Sequence, residues 1–387
     1  MKAKIYNLIV RSRWLLQTFE FTTNLNARKF AFLCRSLRCF TPKKCLNILR
    51  VELSYRLRRS HNVGFPYMLV VDPTNVCNLH CPLCPTGLGK SGRRKGMMVL
   101  ETFRAAIDQL SEYAVEVIIY NWGEPLLNNR IYDMIRYASE QNIVTHLSTN
   151  LTMLTKASAE QLITSGLDHL RVSIDGVSQE TYSQFRMGGS YHQVVSNLQL
   201  LIQIRDKLKS RLPLIDWYFL VMKHNEHEIP EAIEIARRLG VDYTHFVKII
   251  PVDTFHHAEL SFLKDKSDPL AVQWLPANEA FKHDQSKPYL HSAHCPWLWR
   301  YAVINYDGSV APCCYVDNKD TDLGNILESN FREIWSNEAF RASRELSRKA
   351  SAAKEHEKLV CYHCNYYKHS TSVDGSERIG GDISWTL

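Results

Sequence analysis

The stretch YMLVVDPTNVCNLHCPLCPTG, residues 67–87, decides the architecture. It opens on an apolar run with no polar alternation, as expected of a strand buried on both faces of a parallel sheet. Three cysteines then fall within eight positions: Cys77, Cys81 and Cys84. A closed structural zinc site takes four ligands, so three thiols on one loop leave a metal centre one ligand short. His80 is a formal fourth ligand for zinc, but its neighbour Cys81 already occupies that point of the loop. A four-iron cluster on three cysteines instead keeps one iron open to a small molecule.

Working outward from this loop, β-rich apolar runs recur at VEVIIY (115–120), IVTHLS (143–148), HLRVSID (169–175), IDWYFLVM (215–222) and YTHFVKII (243–250). Helical stretches such as LETFRAAIDQLSEY and NEHEIPEAIEIARRLG separate them. Six strands alternating with helices predict an α/β fold, a partial (β/α)6 TIM-like barrel of parallel strands over residues 67–250. In such barrels the chemistry sits on the loops that follow the strands, and the cysteine loop follows the first. Residues 251–294 are polar and punctuated by proline, and read as a connector that also covers the barrel mouth. A compact cysteine-bearing domain is expected over residues 295–387, with a hairpin turn at NYDGSVAP. Specificity is expected from strand-end loops and the connector, with Asp253, His256, His257 and Tyr218 as candidate liners.

The chain has 387 residues, 45% hydrophobic and 22% charged, enough for about two or three domains. Its net charge of +7 is uneven: residues 1–66 hold fourteen Lys and Arg against two Asp and Glu, and the remainder is mildly acidic. Residues 1–66 read as a helical amphipathic segment, with Ile9, Leu15, Leu16, Phe21, Phe30 and Leu33 among basic residues. It is either a cap over the barrel or a surface for an anionic membrane or an acidic partner. No nucleic-acid-binding motif accompanies it. No apolar run approaches the ~20 residues of a membrane span. IYNLIV is too short for a signal-peptide core, so the protein is read as cytoplasmic, possible peripheral membrane contact aside. Eleven cysteines there argue for metal ligation rather than disulfides. Cys34, Cys39 and Cys45, irregularly spaced, read as packing residues.

The C-x3-C-x2-C loop of Cys77, Cys81 and Cys84 after a first barrel strand resembles the signature of the radical S-adenosylmethionine (radical SAM) superfamily. The resemblance runs from residue 67 to the C-terminus. It implies a 4Fe-4S cluster whose open iron chelates S-adenosylmethionine, which on reduction yields a 5′-deoxyadenosyl radical that takes a hydrogen atom from substrate. Leu83 stands where the family often has an aromatic residue. Gly123-Glu124-Pro125 resembles the family's GGEP motif, which holds the methionine amino group; Trp122 replaces its first glycine. By the same resemblance Ser173 and Asn150 meet the ribose or carboxylate of SAM, and Arg186 its carboxylate, a planar pairing that suits a guanidinium. Asp175 reads alternatively as a turn or cap residue, and Val221 as adenine floor or buried core.

A second set, Cys295, Cys313, Cys361 and Cys364, is complete for one cluster or one zinc, and spacing alone leaves both open. C-x12-G-x4-C, then LGNILESNFREIW, then C-x2-C looks like the SPASM/twitch extension of radical SAM enzymes. No cysteine follows Cys364, so the resemblance implies one auxiliary 4Fe-4S cluster on these four residues. Cys314 reads as structural, or as exchanging with Cys313. A cluster with four protein ligands suits electron transfer, so the expected reaction is net oxidation (dehydrogenation) of a small-molecule or peptide substrate, with flavodoxin or ferredoxin as electron donor. Modification of a peptide or lipid-linked substrate by epimerisation or cross-linking is the alternative enzyme. A zinc or iron–sulfur electron-carrier protein is the alternative without catalysis.

Overall fold

A computed structural model describes residues 26–61, 63–249, 269–281, 295–347, 356–364 and 384–385. Ile9, Leu15, Leu16, Phe21, Asp253, His256 and His257 lie outside the described residues. The six expected strands are present as β1 (Met68–Val71), β2 (Glu116–Ile119), β3 (Val144–Thr149), β4 (His169–Ser173), β5 (Leu214–Val221) and β6 (Tyr243–Lys248). They pair in parallel in chain order. Between them run α3 (Leu100–Leu110), α4 (Ile131–Glu140), α5 (Lys156–Thr164), α6 (Gln179–Phe185), α7 (Tyr191–Lys207) and α8 (Ile229–Leu239). Local chemistry sets their ends. The Ser178 and Ser190 side chains cap α6 and α7 by accepting from backbone N–H groups, and Gly240 closes α8 at φ 77°.

Two helices precede the barrel, α1 (Ala27–Arg38) and α2 (Pro42–Arg56). Pro42 opens α2 and the Thr41 side chain caps it. These helices close the N-terminal end of the barrel with basic side chains. Arg28 pairs with Asp206 and Asp242, Arg35 with Asp168, and buried Lys44 donates to Asn142 O at 2.9 Å. Burial lowers the Lys44 ammonium to about 8. Phe32 lies against the rings of His146 and His169. This part of the basic segment is therefore a cap.

The C-terminal part contributes β7 (Tyr301–Ile304), β8 (Val310–Ala311), α11 (Phe331–Trp335), α12 (Glu338–Leu346) and β9 (Ser384–Trp385); the short helices Pro269–Trp274 and Trp297–Arg300 are α9 and α10. The expected hairpin is β7–β8, with Gly308 at φ 82° in its turn. It is not set apart from the barrel: β7 pairs in parallel with β1, from Met68↔Tyr301 to Val71↔Ile304. The sheet order among the described residues is β8-β7-β1-β2-β3-β4-β5-β6-β9, an open sheet with two edges. Its outer face, with Leu69, Val117, Leu147, Leu170 and Trp217, packs under the helices as the main core.

Candidate active site and auxiliary cysteine centre

The cysteine loop leaves the C-terminal end of β1. Cys84 N donates to Cys81 O at 3.1 Å and Leu79 N lies 3.4 Å from Cys77 Sγ, so the loop turns tightly around its thiols. Leu79, Cys81, Leu83, Phe185, Met222, Ile249 and Trp274 bury one another there, with Cys77 and Cys84 at the margin. Burial pushes the Cys81 thiol up to about 12. The His80 side chain is exposed. Trp274, from the segment read as connector, packs on Phe185 and His224 beside this cluster.

The Gly123-Glu124-Pro125 tip of β2 lies against that loop. Glu124 N donates to Val76 O at 2.8 Å. A Cβ on Gly123 would fall 2.1 Å from Thr74 O and 2.6 Å from Val76 O, so only glycine fits. The Glu124 carboxylate is buried and accepts from Thr149 Oγ1 (2.5 Å), Asn150 N (2.7 Å) and Leu126 N (3.1 Å), which ties the tips of β2 and β3 together. Asn150 Nδ2 donates to Asn78 Oδ1 at 3.0 Å and stands 4.0 Å from Cys77 Sγ. Arg186, at the end of α6, pairs through Nε with Asp175 Oδ2 at 2.5 Å and holds Nη1 4.0 Å from Cys81 Sγ. Asp175 also accepts from Leu220 N, and Ser178 caps α6; Asp175 thus anchors Arg186 rather than capping the helix. Ser173 is half-buried at the end of β4, and Val221 is part of the buried core. Gly123, Glu124, Pro125, Asn150 and Arg186 are thereby gathered around the three cysteines.

The second set forms where α10, α12 and the Val360–His363 turn meet. Cys295 N donates to Ser347 Oγ at 3.2 Å, and Ser343 of α12 stands beside the Cys361 thiol. Burial pushes the Cys313 thiol well up, and the neighbouring sulfurs of Cys314, Cys361, Cys364 and Cys295 push it further. Burial and Cys364 carry Cys361 to about 12. Cys314 packs toward Val70, Val303 and Ala311. Among the described residues no group of three or more His, Cys, Asp or Glu is arranged to hold a single metal ion. Both sets offer soft sulfur donors alone, in apolar surroundings, which is the donor chemistry of iron–sulfur clusters.

Residues 71–216 match the Radical SAM superfamily, and residues 295–365 match SPASM, an iron–sulfur cluster-binding domain. The chain is a radical SAM enzyme with a SPASM domain. It is 26% identical over 340 residues to the AdoMet-dependent heme synthase of Methanosarcina barkeri, covering 80% of this chain and 94% of that one. Identity to the tungsten-containing aldehyde ferredoxin oxidoreductase cofactor-modifying protein of Pyrococcus furiosus is 23% over 346 residues, covering 82% and 94%. The fold is that of Streptococcus suis SuiB bound to precursor peptide SuiA, with TM-score 0.57 at 14% identity, over 84% of this chain and 74% of that one. The two domains bring 4Fe-4S clusters and S-adenosylmethionine as cofactors.

Two features of this radical SAM enzyme were not read from the sequence, Tyr218 as a candidate liner excepted. One is a polar constellation on the concave face of the sheet. Arg171 of β4 donates to Tyr120 Oη at 3.0 Å, reaching past β3, and its guanidinium lies 4.3 Å over the Tyr218 ring. Asp216 lies 2.5 Å from His245 Nδ1 and 3.6 Å from Arg171 Nε. Burial pushes the Asp216 carboxyl up, but His245, Arg171 and His169 outweigh it and hold it below the usual carboxylate range. The opposite wall is apolar: Val70, Ile118, Val303, Tyr301 and Trp297. The other feature is a clamp between the two cysteine regions. Buried Arg93, nine residues past Cys84, pairs with Asp322 at 2.6 Å and Asp307 at 3.3 Å and donates to Ser309 Oγ at 2.8 Å.

Proposed function

We propose that this enzyme carries out a net two-electron oxidation, a dehydrogenation, of a substrate held on the concave face of the barrel. The observation that carries this reading is the auxiliary set: Cys295, Cys313, Cys361 and Cys364 crowd one partly buried place beside the barrel sheet. Four thiolates satisfy every iron of a 4Fe-4S cluster, which leaves no iron for substrate and suits electron transfer. When bound, the cofactors supply a reducing electron, a hydrogen-abstracting adenosyl radical and an acceptor for a second electron. Loss of a hydrogen atom, then of an electron and a proton, converts a carbinol to a carbonyl or a saturated bond to a double bond.

The chain's own residues have separate tasks in this reading. Cys77, Cys81 and Cys84 hold the first cluster. Gly123, Glu124 and Pro125 shape the tip that receives the methionine end of SAM, with Glu124 bracing Asn150. Arg186, oriented by Asp175, offers its remaining N–H groups to the SAM carboxylate. Ser173, at the end of β4, meets the ribose. Arg171, Tyr218 and Tyr120 orient the substrate, and the apolar cluster around the cysteines excludes water. A one-electron donor such as flavodoxin or ferredoxin feeds the first site. Eleven cysteines, all outside disulfides, suit the reducing cytoplasm. The basic N-terminal segment meets a membrane surface. Among the described residues no helix is long and apolar enough to cross a membrane.

Anaerobic purification with iron counting and a 5′-deoxyadenosine assay under reduction test the assignment. About eight irons per chain and SAM cleavage are expected. With substrate, the product should be two mass units lighter, one hydrogen molecule removed. A product of unchanged mass, such as an epimer, overturns the oxidation. So does full product formation by a Cys361→Ala, Cys364→Ala variant that has lost about four irons.

A further inference from the structure

We propose that the outward face of α2 docks on an anionic lipid surface; this rests on the reading of the N-terminal segment as a membrane contact and names the face and the lipid chemistry. The inner face of α2 is fully engaged. Lys44, Asn47, Val51, Glu52, Ser54 and Tyr55 are buried. Glu52 receives a two-point pairing from Arg300, both contacts at 2.7 Å, and a bond from Tyr67 Oη at 2.8 Å. Tyr55 meets Trp299 edge-on. The helix is thus bolted to the barrel and to the SPASM region, and its rotation about its own axis is fixed.

That fixed rotation turns a stripe of leucines to the outside. Leu46, Leu49 and Leu53 recur at helical spacing, and Leu57 continues the row at the helix end; they are 51, 50, 53 and 54% exposed. A helix face turned to water is normally polar, so a row of large apolar side chains there marks a contact surface. The row is flanked by Lys43, Arg50, Arg56 and Arg59, all exposed. The sole acid of the helix, Glu52, is on the buried side. Lys43 also bridges Glu112 at 2.5 Å, between two exposed side chains.

Apolar side chains along the middle of a helix, with long basic side chains at its margins, match the boundary between lipid chains and phosphate headgroups. Leucine enters the acyl region while arginine and lysine reach the phosphates. Charge favours an anionic leaflet over a zwitterionic one. Residues 1–25 repeat the composition in sequence, with Lys2, Lys4, Arg11, Arg13 and Trp14 against the single acid Glu20. Stable peripheral binding takes two such signals.

The test is flotation of the full-length, cluster-loaded enzyme with vesicles of phosphatidylcholine, with and without phosphatidylglycerol. Wild type should float with the anionic vesicles, and less so as salt rises. The double variant Leu49→Gln, Leu53→Gln should bind at least about tenfold more weakly, with 5′-deoxyadenosine formation in solution unchanged. Arg50→Gln, Arg56→Gln should lose the preference for phosphatidylglycerol. Undiminished flotation of the leucine variant overturns the docking face while leaving a membrane contact elsewhere in the segment. Equal flotation of wild type with both vesicle types overturns the anionic lipid. No flotation of wild type overturns the membrane reading itself, and with it the assignment of the leucine row to lipid rather than to a protein partner.

Discussion

Gly123 shows how little freedom the SAM-binding tip has. Its missing side chain is what lets the β2 tip touch the carbonyls of Thr74 and Val76 on the cysteine loop. Gly123→Ala should push the two loops apart and lower 5′-deoxyadenosine formation about 100-fold or more, since displacement by about 1 Å is enough for that. Iron content and thermal midpoint should change far less. Asp72, at the start of the same loop, carries a different consequence. Burial raises its carboxyl to about 7, only partly opposed by Trp122 N, which donates to Oδ1 at 3.3 Å. A raised carboxyl favours the protonated folded form, so its stabilising effect is full below about pH 4 and is lost as pH rises to about 7. Asp72→Asn should therefore gain thermal stability over wild type progressively between pH 4 and 7 and hold a constant gain above it. A pH-independent difference between the two melting curves would remove this account.

Among the elements, the clamp from the cysteine loop to the hairpin is the most exposed to test. Arg93 has 3% of its side chain accessible and faces Asp322 and Asp307. Arg93→Ala leaves two acids without their cation and should destabilise by about 3 kcal/mol. Denaturant unfolding measures that loss. Limited proteolysis should find new cleavage between residues 88 and 96. The six strands and most helices were legible because parallel strands covered on both faces leave long apolar runs, which stand out from helical periodicity. Arg93 was not: its partners lie more than 200 positions along the chain, and nothing local distinguishes it from its neighbour Arg94. The concave-face residues were partly hidden for a related reason. His169 and Arg171 alternate with Leu170 and Val172 at the two-residue period of a strand, and Tyr218 was legible as a candidate liner, but Asp216 stands alone in an otherwise apolar run. The motif residues Glu124, Asn150 and Arg186 were visible from the sequence, although what Glu124 and Arg186 contact, Thr149 and Asp175, was not.

At the scale of the molecule, α2 joins the parts that the sequence presents as separate. It rests on the barrel and reaches the SPASM region through Arg300 and Trp299. Trp335 Nε1 donates to Gly64 O at 2.8 Å and Arg344 Nε to Leu298 O at 2.8 Å, which fastens α11 and α12 to the same place. An enzyme built this way should unfold as one unit. Thermal unfolding followed by tryptophan fluorescence and by far-ultraviolet circular dichroism should give coincident transitions; a separate early step would show the SPASM region loosening independently.

The pairing of β7 with β1 also has a consequence in time. The ribosome delivers β1 more than 200 residues before its outer neighbour, so throughout synthesis of the barrel one edge of the nascent sheet presents bare amide and carbonyl groups. That edge, Met68–Val71, is apolar, the kind that recruits other strands. The last third of the chain therefore acts as a seal as well as a cofactor carrier. A chain that stops at residue 250 should collect in the insoluble fraction even though all six barrel strands are present, and supplying residues after 250 in trans should not rescue it efficiently, because edge-to-edge association outpaces a closure of such high contact order.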